Sequence, residues 1–181
     1  MTFLQDELAS KRLELLKEAA GRTSEVGFLW NPDHADNEER AAQALGVRLH
    51  RLGVRGAGDF DAAFEAARQA RADALYVVSS RHTVLNIDRI VGFAKQARLP
   101  LAGGWGAWAM AGGLLSYGPD TADMARRAAA HIDRILRGAK PADLPVEQPT
   151  KFQLVINLAT ARALGLDLSS SLLTRADEVI E

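Results

Sequence analysis

The chain has 181 residues, and its 22 lysines and arginines nearly balance 23 aspartates and glutamates, for a net charge of −1. That length suffices for one domain with a proper core, or one domain with an appendage, and there is no basic excess to neutralise nucleic-acid phosphates. The absence of cysteine excludes disulfides, thiolate metal sites and cysteine nucleophiles together.

No apolar stretch approaches the roughly 18 to 20 residues that cross a bilayer. The first residues, Met1 to Glu7, lack the charged, apolar and small-residue segments of a signal peptide. Read literally, they keep the chain in the cytoplasm unless something was removed from its front.

Residues 6–20 predict an amphipathic helix. Leu8, Leu13, Leu15, Leu16 and Ala19 make one apolar stripe, and Lys11, Arg12, Glu14, Lys17 and Glu18 are assigned mostly around it. Gly21 ends it. Residues 26–30 form a continuous apolar run, as in a strand covered on both faces. Asp33 or Asp36 is placed to cap a helix through Ala44 that closes at Gly46.

Residues 47–52 predict a second strand, Asp59 the cap of a third helix, and residues 74–78 a third strand. A helix over 84–98 follows, then a short strand over 100–102 and a glycine-rich turn, Gly103-Gly104-Trp105-Gly106. One or two helical turns to Gly112 lead to a fifth strand at 114–117. Strands alternating with helices give a parallel sheet with right-handed crossovers. The expected fold is therefore a doubly wound α/β lobe, flavodoxin-like or Rossmann-like, with strand order 2-1-3-4-5.

After Tyr117 the alternation breaks. Residues 121–137 predict a long helix capped by Asp120, followed by a segment that prolines force to be extended. A strand at 152–156, a short helix capped by Asn157 and closed by Gly165, and a last helix from Ser169 or Ser170 to Glu181 complete a helix-strand-helix arm.

Ligands of open parallel sheets bind beyond the carboxyl ends of the strands, where the strand order reverses. Asn31 ends the first strand, and Ser79, Ser80, Arg81 and Thr83 follow the third. Gly104 and Trp105 follow the fourth. These seven are the candidate ligand-binding residues. Helix amino termini after the first two turns would favour an anion such as a carboxylate. Trp105 could wall an apolar or aromatic ligand. Turn and cap roles explain each of these residues equally well.

Signals for catalysis are missing. The glycines at 103, 104 and 106 do not make a dinucleotide fingerprint, no nucleophile elbow is present, and Ser80 with His82 in one loop is no triad. Four scattered histidines, among them His34 and His82, give no metal spacing. The expectation is a protein that is not an enzyme and uses no cofactor or metal.

Several segments resemble one family. They are residues 3–9 with 11–18; Leu29-Trp30-Asn31-Pro32; residues 111–120; and above all residues 135–152 with Leu154-Val155-Ile156-Asn157. They are similar to the ABC transporter substrate-binding proteins of the TrpX-like type, with a periplasmic-binding-protein type 1 fold, and the similarity runs along the whole chain. The resemblance implies a periplasmic protein whose small-molecule ligand lies between two lobes and which delivers it to a transporter permease. Some members bind aromatic amino acids.

It further implies that residues 1–118 are the second lobe, and that the signal and first lobe are missing. Residues 119–181 become an arm whose long helix and following strand would complete that first lobe. An exposed apolar arm predicts a homodimer or refolding onto its own lobe. Asn31 and Ser80 with Thr83 would then hold a polar group, Arg81 would supply charge, and Trp105 would pack on the ligand body. Two readings stay open beside this one: an interaction or signalling module that kept the fold, and a small flavodoxin-like enzyme.

Overall fold

A computed structural model describes residues 5–33 and 38–181. Its elements are α1 (Gln5–Ala20), β1 (Glu25–Trp30), α2 (Glu38–Ala44), β2 (Arg48–Gly53), α3 (Phe60–Gln69), β3 (Ala74–Val77), α4 (Arg81–Leu85), α5 (Ile87–Ala97), β4 (Leu101–Gly103), α6 (Gly106–Met110), β5 (Leu115–Pro119), α7 (Thr121–Leu136), β6 (Phe152–Asn157), α8 (Leu158–Leu164), α9 (Ser170–Thr174) and β7 (Glu178–Ile180).

The strands form one sheet in the order β2-β1-β3-β4-β5-β6-β7. The first five are parallel, in the expected order 2-1-3-4-5. β6 runs antiparallel to β5, with Tyr117 opposite Leu154, and β7 is parallel to β6.

Alternation along the buried strands feeds two cores, because successive side chains leave a strand on opposite faces. Val26, Phe28 and Tyr76 join the apolar stripe of α1 and Ala41, Ala42, Ala161 and Leu172 on one face. Leu29, Leu75 and Val77 join Phe60, Phe64, Ile90, Phe93 and Trp108 on the other. Helices thus cover both faces, as a parallel sheet requires.

The local signals mostly hold. Asp120 accepts from the Asp123 N–H at 2.9 Å, and Asn157 from the Thr160 N–H at 2.8 Å. Gly165 ends α8 with φ near 74°, a conformation costly for any residue with a Cβ. Asp59 departs from its predicted role. It precedes α3, yet its carboxylate reaches backward to the N–H groups of Arg55 and Gly56, which lower its pKa. Asp36 and His34 lie outside the described residues.

Two expectations need correcting. The helix over 84–98 is two helices, broken at Asn86. Its earlier start at Arg81 comes from Ser80, whose hydroxyl caps the Thr83 N–H. The last helix stops at Thr174, and Glu178–Ile180 is a strand. Asp177 accepts from the Leu154 N–H at 2.8 Å, which steers the chain onto the free edge of β6. The strand from Phe152 hydrogen-bonds into this sheet beside β5.

The long helix α7 has no buried residue. Its polar side faces the chain. Arg127 donates to Asp123 at 2.8 Å and to Thr150 at 2.6 Å, and His131 lies 3.2 Å from Glu147. Burial alone would raise the Asp123 pKa, but Arg127, Lys151 and Arg126 outweigh it and hold the carboxyl below its ordinary value. Ile132, Ile135 and Leu136, the last 82% exposed, face outward.

Candidate functional site

The carboxyl ends of β1, β3, β4 and β5 come together at one edge of the lobe. Val78 N–H donates to Leu29 C=O at 2.9 Å, so the turn after β3 lies directly beside the end of β1. Asn31 is 8% exposed there, and its Oδ1 accepts from the Asp33 N–H at 3.0 Å. That bond closes a side-chain turn. It uses the carbonyl and leaves the amide NH2 for other partners.

Ser80 and Thr83 spend their polar groups locally. The Ser80 hydroxyl caps α4, and Thr83 Oγ1 accepts from the Ser80 N–H at 2.8 Å while donating to Val78 C=O at 2.9 Å. Thr83 is buried and Arg81 is exposed on the first turn of α4. This pair shapes the loop and points no free group into the crevice.

Ser79 is different. Its Oγ accepts from Trp108 Nε1 at 3.0 Å, so the hydroxyl proton remains available to a ligand. Trp108 is fully buried and packs against Gly103: a Cβ there would stand 2.3 Å from the indole. The structure thus brings Ser79 and Gly104 together, since a Cβ on Gly104 would stand 3.2 Å from Ser79 Oγ. Trp105 is half-buried just before α6.

The missed residue is Arg12. Sequence reading placed it beside the apolar stripe of α1, but it lies within the stripe and is 2% exposed. Its Nε donates to Tyr117 C=O at 2.7 Å and its Nη1 to the Tyr76 hydroxyl at 3.3 Å. Nη2 lies 3.0 Å from where a Gly104 Cβ would be. Burial pushes the Tyr76 phenol above its ordinary pKa; Arg12 works against that shift and Glu38 adds to it. A signal did exist. Arg12 falls four residues after Leu8 and four before Leu16, in the middle of the stripe.

Elsewhere, a groove of about 530 Å³ opens between α5, α6 and α8, lined by Lys95, Arg98, Met110 and Thr160 among others. Its Thr160 hydroxyl and Arg98 guanidinium are bonded to the Gly112 and Ala163 carbonyls. Among the described residues no acidic, histidine or cysteine cluster could hold a metal, and no helix is long and apolar enough to cross a membrane.

The family of ABC transporter substrate binding proteins matches residues 2–180. The chain belongs to that family. Solved structures agree in fold. A conserved domain protein from Vibrio cholerae O1 biovar El Tor superposes with a TM-score of 0.85 at 24% identity, over 94% of this chain and 60% of that one. The ABC domain from Streptococcus pneumoniae in complex with L-Trp gives 0.86 at 24% identity, over 95% and 60%. A substrate binding protein with adhesive properties from Clostridium difficile gives 0.66 at 19%, over 94% and 59%. The chain therefore spans about three fifths of the length of these three solved proteins. No curated protein matches it.

Proposed function

We propose that this chain is a ligand-binding lobe of an extracytoplasmic solute receptor, which hands a small polar or aromatic molecule to the permease of an ABC importer and performs no chemistry on it. The family match along nearly the whole chain carries this reading. The crevice at the ends of β1, β3 and β4 supplies the place, with Asn31, Ser79, Gly104 and Trp105 as contact residues. Ser80 and Thr83 hold the loop, and Arg81 stands at its rim.

A pneumococcal relative of this fold was solved with L-Trp, so L-tryptophan is the natural first probe. Titrated into the 15N-labelled chain, it is expected to shift the amide signals of Asn31, Ser79 and Gly104. Asn31→Ala should weaken that response by about tenfold, the worth of one or two hydrogen bonds. Shifts scattered away from the strand ends would refute the assignment.

Residues 119–181 act in this reading as a joint rather than as part of the pocket. α7 sets Asp123, Arg127 and His131 against the chain and leaves Ile132 and Leu136 exposed among outward charges, so a further lobe is the proposed cover of that apolar strip. A second copy is the other occupant, and sedimentation distinguishes them. The expected result is a monomer; a dimer that Leu136→Lys abolishes would assign the outer side of α7 to a second copy instead. A tight dimer with no ligand response at the crevice would favour an interaction module over a transporter component.

A further inference from the structure

We propose that Arg12 is the anion anchor of this crevice, and that the ligand presents a carboxylate to it between the ends of β3, β4 and β5. The inference rests on reading the crevice as a ligand site, and it names the chemistry that the site takes.

Arg12 is almost fully buried, yet both of its bonds go to neutral oxygens, Tyr117 C=O and the Tyr76 hydroxyl. Among the described residues no carboxylate lies within the 4.0 Å of an ion pair from its guanidinium. The buried Glu38 acts on the same Tyr76 but makes no ion pair with Arg12, and buried charges are ordinarily paired directly. The anion can come from outside.

A second observation points to the same spot. Ser79 Oγ accepts the Trp108 indole N–H, which leaves its own proton without an acceptor among the described residues. Arg12 Nη2 likewise makes no hydrogen bond among them. The position that a Cβ on Gly104 would take is 3.0 Å from Nη2 and 3.2 Å from Ser79 Oγ. Two free donors of different kinds, one charged, therefore stand side by side over Gly104, so close that even a methyl there would crowd both. A carboxylate offers two acceptor oxygens to such a pair, and charge-assisted bonds are the strong ones. The exposed Arg81 can steer an anion inward but has no such enclosure.

Acetate tests this directly, titrated into the 15N-labelled chain at constant ionic strength against potassium chloride. The expected result is a saturating shift of the Arg12 Nε–H signal and of the Ser79 and Gly104 amides, with chloride inert. Arg12→Gln and Gly104→Ala should each weaken acetate binding about tenfold or more, the worth of a charge-assisted bond. Gly104→Ala retains the buried arginine, so it keeps the test decisive if the arginine variant fails to fold. An undiminished acetate response in Gly104→Ala, or no response at Arg12, overturns the proposal.

L-tryptophan and tryptamine, which lacks the carboxylate, separate this failure from that of the site itself. Equal shifts at Asn31 and Ser79 from both would keep the crevice as a ligand site and remove Arg12 as its anchor. Acetate bound at Arg12 without any tryptophan response would support the anchor and call for a different carboxylate. If neither acetate nor either indole shifts a strand-end signal, the anchor and the crevice reading fall together.

Discussion

Replacing Gly118 by alanine is expected to cost the fold about 3 kcal/mol or more, the upper end of overpacking effects. A Cβ at that position would stand 1.7 Å from the Gly104 carbonyl oxygen and 2.8 Å from its carbon. The obstacle is backbone, so no side-chain rotation relieves it. The ends of β4 and β5 must separate instead. Arg12 lies across the same junction, bonded to the Tyr117 carbonyl, so the variant should also loosen the proposed anchor. Urea unfolding measures the stability change and the acetate titration the second effect. A loss below about 1 kcal/mol, the size of an ordinary substitution, would mean that the strand ends are not packed as described.

The second large effect belongs to Trp108. Trp108→Ala should destabilise the lobe by about 3 to 5 kcal/mol, as for other large-to-small changes of buried aromatics. The side chain is fully buried, lies on Gly103, and gives its indole N–H to Ser79. A double-mutant cycle sharpens the expectation. Gly103→Ala alone sets a methyl 2.3 Å from the indole and should cost about 1 to 3 kcal/mol. Trp108→Ala removes the indole but keeps its own Cβ, 2.8 Å from the new methyl, so in that background the same change should cost less without becoming free. Additive costs in urea unfolding would count against the stacking. Loss of the Trp108 bond should also free the Ser79 hydroxyl to rotate, and weaken any ligand that it holds.

Both predictions concern residues whose role depends on what lies across the sheet. Gly118 and Gly104 are fourteen positions apart, yet one excludes a side chain at the other. In sequence they read as ordinary glycines of a strand and a turn. Burial alone placed Trp108 in the core.

Local chemistry was far more legible. Runs such as 26–30 and 74–78, each followed by polar turns and a helical period, specified parallel strands and their covering helices. Asp120, Asn157 and Gly165 marked helix ends through bonds that reach only three or four residues along the chain. The order of the first five strands was expected as the usual one of a flavodoxin-like lobe, and the sheet has it. Family membership was equally available to the sequence, since it rests on residue patterns spread over the chain.

What sequence could not reach was anything that depends on contacts between distant segments. The strand at Glu178–Ile180 is short, and a free edge on β6 and the Asp177 bond to Leu154 give it its place. Thr83 reads as a ligand contact until its hydroxyl is seen donating to Val78 C=O. Arg12 is the clearest case. Helical spacing puts it among leucines, and charge argues for solvent. Only the fold brings the Tyr117 carbonyl, 105 residues away, and the Tyr76 hydroxyl to it. The sequence by itself determined most of the elements and the course of the first five strands, because periodicity and caps act over a few residues. The tertiary structure alone decided which side chains at the strand ends keep a free donor, because a buried polar group takes whatever partner packing supplies.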